Sequence, residues 1–209
     1  MVRLLPPYPF EAQEFLLASG TELFRVFDTD RSPVPTVTDF NHRWGAPSRF
    51  AFFGHPQVPV LYAAQSEEAA ICETILHNVP PGPGRIAFDD VSSRVCATLA
   101  PTRDLKLASL MGDGLRVLGT EAKYVTSTMA SQYPRTVRWA EAAHAAGFDG
   151  MVWMSNRRNT DKAYVFFGDR VLASDLVALA SHARIYGEPQ GFNWLVDYCA
   201  SLNVDILIP

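Results

Sequence analysis

Lysine is nearly missing from this chain. Of the eighteen basic residues in 209, only Lys106, Lys123 and Lys162 are not arginine, and no run of them forms a basic stripe. With a net charge of −4, direct nucleic-acid binding is not expected. Cysteine is scarce as well. Cys72, Cys96 and Cys199 are odd in number, far apart and set among apolar neighbours, which suits reduced core thiols in a cytoplasmic protein and gives neither a disulfide frame nor a zinc motif. The five histidines are dispersed with no H-E-x-x-H, so no metal is expected. No apolar run approaches the roughly 20 residues of a membrane span, and prolines break M-V-R-L-L-P-P-Y-P-F before a signal-peptide core can form; the expectation is a cytoplasmic protein with no membrane partner. The P-P-G-P-G turn at 80–84 lacks the Lys-Ser/Thr of a phosphate loop, and Ser155 has no G-x-S-x-G elbow around it. There is no internal repeat, low-complexity tract or linker.

What is present is a hydrophobic content of 48%, sufficient for one domain with a proper core. The organising stretch runs from Val58 to Val79. Val60, Leu61 and Tyr62 have the character of a central strand, and Ser66 followed by Glu67 and Glu68 marks a helix start. On that helix Ala69, Cys72, Ile75 and Leu76 share a face and Glu73 lies at its border. Upstream, T-E-L-F-R-V-F-D alternates as a strand, putting Arg25 on the face of Leu23 and Phe27. A guanidinium there needs a partner or a ligand, since burying it alone costs several kcal/mol.

The rest reads as follows. A short helix is predicted from Phe10 to Ala18, and a long, proline-broken loop from Thr29 to His55 carries W-G-A-P-S-R-F. Strands are predicted around Ile86–Phe88 and Val95–Leu99, with short helices between Ala108 and Tyr133. A helix after Pro134 stops at Gly147, and strands D-G-M-V-W-M-S and A-Y-V-F-F-G follow. Two helical patterns after Ser174 and an edge strand V-D-I-L-I end the chain. The domain reading is a single unit over 1–209, with a core at about 21–172 and a helical extension at 173–209.

Taken singly, the candidate residues have ordinary explanations: Glu73 as a solvated helix residue, Tyr62 as core, Ser155 as a strand-end turn residue, His77 and His144 as helix-surface or helix-end residues. Their order is more specific. The carriers are L-F-R-V at 23–26, S-R-F at 48–50, P-V-L-Y-A-A at 59–64, the E-x-A-x-x-E-T-x-L helix from Glu67, W-A-x-x-x-x-x-x-G-F-D-G at 139–150, M-S at 154–155 and A-Y-V-F-F near 165. This series resembles the RES domain, named for its Arg, Glu and Ser and found in bacterial toxin–antitoxin pairs. Ser48 departs from the Gly that many relatives have before the loop Arg, and Asp161 stands near a position where Asn is common.

The resemblance implies a mixed α+β, ADP-ribosyltransferase-like single domain, with a split, largely antiparallel sheet flanked by helices around an NAD cleft. It implies a toxin that cleaves the nicotinamide–ribose bond of NAD by hydrolysis or phosphorolysis. NAD is then the substrate and no metal is needed. Arg25, Glu73 and Ser155 would be catalytic; Arg25 and Arg49 would grip phosphate, Tyr62 would stack on nicotinamide, and Ser155 would hydrogen-bond the amide or ribose. The implied partner is a cognate Xre-type antitoxin covering the cleft, with a homo-oligomer within the complex as a further expectation. Two other readings stay open: transfer of ADP-ribose to a protein, and a non-catalytic binding module in which Arg25 and Glu73 pair across the core. A two-carboxylate glycosidase fits less well, because no second acid is placed.

Overall fold

The computed structural model describes residues 2–80 and 82–208. Its strands are β1 (Glu14–Leu17), β2 (Leu23–Asp28), β3 (Val60–Ala64), β4 (Gly84–Ala87), β5 (Arg94–Pro101), β6 (Leu105–Ser109), β7 (Gly150–Met154), β8 (Lys162–Phe167), β9 (Leu176–Ile185) and β10 (Val204–Leu207). The α-helices are α1 (Glu67–Glu73), α2 (Asp113–Val117), α3 (Ala122–Val125), α4 (Tyr133–Ala145) and α5 (Pro189–Ser201). Eight strands form one sheet in the order β1-β6-β7-β8-β3-β2-β5-β9, and β10 pairs with β4 in a separate parallel ribbon. Within the large sheet only β6 and β7 are parallel. The class is mixed α+β, as the resemblance implies. Among the described residues no helix is long and apolar enough to cross a membrane.

The central strands are apolar on both faces because both faces are covered. Val60 of β3 and Val165 and Phe167 of β8 face a core layer built around Trp139 of α4. Leu61, Tyr164 and Phe166, one residue out of phase, face the opposite layer with Leu99 and Leu105. A third layer, under α1 and α5, holds Ile71, Cys72, Tyr186, Leu195 and Cys199. The three thiols are buried and unpaired, and burial pushes Cys96 up to about 12 and Cys199 to about 11, so they are core residues and not nucleophiles.

The sheet splits between β2 and β3. These neighbours share a single register pair, Phe24 with Ala64, after which β2 stays on β5 along its whole length and departs from β3. The gap is walled by the loop after β2, where Asn41 pairs its backbone with Val60, donating at 2.7 Å and accepting at 3.0 Å. This is the geometry that opens a cleft in an otherwise continuous sheet.

Two predicted helices are strands. Residues 14–17, inside the helix predicted over Phe10 to Ala18, pair antiparallel with β6. Residues 176–185 form a ten-residue strand along β5, so the segment after 172 is not a helical extension; among its described residues α5 and a short 3-10 turn at Ala173–Asp175 are helical. In both places a free sheet edge offers backbone partners that outweigh local helix preference. The helix after Ser66 is also shorter than its apolar spacing implies. The Ser66 hydroxyl accepts from Ala69 N–H at 3.1 Å and caps it as predicted, but Thr74 leaves helical geometry and Leu76 N–H turns back to Ile71 O at 3.0 Å.

Candidate active site

The Arg49 turn is a product of packing. Ser48 and Ala51 close a tight turn through paired backbone hydrogen bonds, Phe50 buries its ring edge-on against Trp153 with centroids 5.1 Å apart, and Thr136 of α4 donates its hydroxyl to Arg49 O at 2.5 Å. Tyr62 ties the turn to β3. Its phenol lies 2.9 Å from the Ser48 hydroxyl and accepts from Phe50 N–H at 3.2 Å. The serine that departs from the family pattern therefore has a partner here. Burial pushes the Tyr62 phenol up to about 12, so it stays neutral.

Ending α1 at Glu73 aims that carboxylate across the cleft. Its Oε1 accepts from the Ser155 hydroxyl at 2.7 Å and from Asn156 N–H at 3.2 Å; its Oε2 lies 3.4 Å from Arg49 Nη1. Both side chains are nearly buried, at 6% and 12% exposure, so the pair is weakly screened. Arg49 Nη2 meets His77 Nε2 at 3.1 Å, while Arg49 Nε is buried with no partner among the described residues. The His77 ring also receives the Tyr133 hydroxyl at 3.2 Å and lies 3.1 Å from Asn78 Oδ1 through Nδ1. A neutral ring with the proton on Nδ1 donates to Asn78 Oδ1 and leaves one Nε2 lone pair that Arg49 and Tyr133 share.

Arg25 occupies the other wall. Its Nη1 donates to the carbonyls of Val37 and Asp39, both at 2.7 Å, and burial, with Arg31 nearby, lowers its pKa to about 10; it remains charged at neutral pH. It does not pair with Glu73, which removes the form of the non-catalytic reading that required that contact. Arg25, Arg49, Tyr62 and Glu73 all line a single cleft of about 1380 Å³. Ser155 does not. It is fully buried and gives its proton to Glu73, so its place is behind the carboxylate, holding it, and not against a nicotinamide amide or ribose. The loop that carries it is fastened to the start of α1, since Ser66 and Arg158 both donate to Asp161 and Ser155 N–H donates to Asp161 O.

His77 and Tyr133 are the members that reading the sequence missed. His77 reads from the sequence as a helix-surface or helix-end residue; it lies just past the end of α1, and what that reading lacks is that the ring lines the cleft with Tyr133. The available signal was its spacing, four residues after Glu73. Burial and then the Arg49 charge lower the His77 pKa. The unfolded chain, with an ordinary histidine near 6.5, therefore binds more protons than the folded one in the window just below that value. Stability is expected to fall as pH drops through about 6.5 toward the lower folded value, and His77→Gln is expected to flatten that slope. Urea midpoints between pH 7.5 and 5.5 check this; equal slopes in the two proteins would refute it.

Among the described residues the one cluster of metal-type ligands is Glu67, Cys96 and His182, outside the cleft. Glu67 already has the Arg184 guanidinium on it at 2.9 Å, which balances its charge.

No curated protein matches this chain significantly. A chain in the crystal structure of the M. tuberculosis MbcT–MbcA toxin–antitoxin complex is similar over 78% of this chain and 81% of that one, at 14% identity and a TM-score of 0.49. The RES domain family model matches residues 22–186, a span that contains Arg25, Arg49, Tyr62, Glu73, His77, Tyr133 and Ser155, and on that match the chain belongs to the RES domain family.

Proposed function

We propose that this chain is the toxin of a toxin–antitoxin pair and that it cleaves the nicotinamide–ribose bond of NAD. The observation that carries the reading is the convergence of Glu73, Arg49, Arg25 and Tyr62 on one cleft large enough for a dinucleotide. The bond breaks through a ribose with oxocarbenium character. A carboxylate fixed near that ribose is favoured most where positive charge develops, which lowers the barrier and not only the energy of bound substrate. Ser155 and Asn156 N–H hold Oε1 of Glu73, leaving Oε2 to face the cleft. Arg49, with an unpartnered Nε–H, and Arg25 are suited to pyrophosphate oxygens. Tyr62, neutral and edge-packed on Trp153 at 6.3 Å, offers its ring to nicotinamide.

In this reading Arg49 exchanges Glu73 for phosphate when substrate enters, freeing Oε2 for a ribose hydroxyl. No metal takes part. The partner is a cognate antitoxin of Xre type that covers the cleft, and the toxin works in the cytoplasm, where NAD is available. The test is incubation of antitoxin-free protein with NAD, with and without phosphate, and chromatography of the products. Free nicotinamide with ADP-ribose, or with a phosphorylated ADP-ribose, supports hydrolysis or phosphorolysis respectively. Label from NAD retained on protein in a gel moves the reading to ADP-ribosyl transfer, and unchanged NAD refutes the catalytic reading.

A further inference from the structure

We propose that Trp44, with Arg31 against its ring, is the seat for the purine base of the dinucleotide; this rests on the reading of the cleft as an NAD site. Trp44 is 54% exposed, in a chain whose Trp139 and Trp153 are fully buried. An exposed indole is by itself unremarkable, but the backbone that carries this one is held in place. Asn41 receives Trp44 N–H at 2.5 Å and Arg43 N–H at 3.0 Å on Oδ1, and its Nδ2 donates to Trp44 O at 2.9 Å. Asn41 is in turn fastened to Val60 of β3 through its own backbone, so the turn carrying Trp44 is tied to the sheet. The Arg31 guanidinium lies 5.6 Å from the ring centroid, in the range of a cation–π contact. Arg31 and Trp44 line the same cleft as Arg25, Tyr62 and Glu73.

The chemistry that matches a partly open indole, carried on a tethered turn beside a guanidinium, is a flat aromatic base carried on a phosphate. Every base has a π-face, and stacking on an aromatic side chain contributes about 1–3 kcal/mol per base. Arg31 and Arg25 line the same cleft, so both guanidiniums are available to the phosphates between base and nicotinamide. Adenine at Trp44 and ribose at Glu73 would then occupy one cleft, and a preference for the dinucleotide over the mononucleotide is the expected result.

The experiment titrates ADP, which contains the base and phosphates but no scissile bond, and reads tryptophan fluorescence. ADP is expected to quench wild-type emission, Trp44→Phe to abolish most of the quench, and Trp44→Ala to weaken ADP binding by roughly tenfold, measured by calorimetry, within the stacking scale. Trp44→Tyr is expected to restore much of the affinity. In turnover, Trp44→Ala is expected to raise KM for NAD while leaving turnover of nicotinamide mononucleotide unchanged. Wild-type protein that binds no ADP, or a Trp44→Ala protein that binds it unchanged, overturns the proposal, as does an equal loss for both substrates. The two readings fail separately: quenching without NAD turnover sinks the catalytic reading and keeps the seat, whereas NAD turnover indifferent to Trp44 keeps the catalysis and removes the seat.

Discussion

Glu73→Gln protein is expected to fold, with a lower melting temperature from the lost Arg49 ion pair, and to consume NAD about two to three orders of magnitude more slowly, the usual scale for one lost electrostatic stabiliser. The amide keeps the shape of the side chain, and its oxygen can still accept from Ser155 and from Asn156 N–H, as the Glu73 carboxylate does at 2.7 and 3.2 Å. What it loses is the negative charge that the cationic ribose needs. The loss should therefore fall on kcat with KM little changed, because the charge matters in the transition state more than in the bound ground state. Timed chromatography of NAD at saturation gives kcat directly. Undiminished consumption by the Gln variant would remove Glu73 from the proposed chemistry. Ser155→Ala should do less than Glu73→Gln, because Asn156 N–H still holds the same oxygen.

Replacing Glu67 should act on stability instead. Its side chain is 8% exposed and collects three neighbours from β9 and the turn after it. Arg184 Nε and the Tyr186 hydroxyl donate to Oε1, both at 2.9 Å, and His182 Nε2 lies 3.0 Å from Oε2. Arg184 also lies over Trp194 of α5 at 4.1 Å. Glu67→Ala removes the one acceptor these groups share and leaves a guanidinium and a phenol without it. Breaking a buried pair in this way typically costs about 3–5 kcal/mol. For a chain of this length each kcal/mol lowers Tm by about 2–4 °C, so a fall of roughly 10 °C is expected in a thermal melt. A change under about 2 °C would mean that the network contributes little. Since Glu67 begins the helix that ends at Glu73, residual turnover in this variant also reports how far the site depends on α1 being held at its start.

The sequence was legible where local chemistry and tertiary demand agree. Ser66 reads as a cap and is one; the strand from Leu23 alternates as its pattern requires; α4 stops where Gly147 takes φ +89, a conformation open to glycine at no steric cost. It misled where they conflict. Leu16 and Leu17, and Leu176, Ala178 and Leu179, are good helix formers, yet each segment lies on a sheet edge whose unpaired backbone groups take it as a strand.

By itself, then, the amino-acid order determined the central strands, the capped helix that follows them, and the family to which Arg25, Arg49, Glu73 and Ser155 point. Periodicity and capping are local and survive without a fold. Only the tertiary structure decided that β2 and β3 part after one pair, that α1 ends at Glu73, and that His77 and Tyr133 join Arg49 while Ser155 retreats behind the acid. Apart from the local turn that ends α1 and the spacing of His77 from Glu73, those are contacts between residues tens of positions apart, fixed by which sheet edges and helix faces are left to be filled.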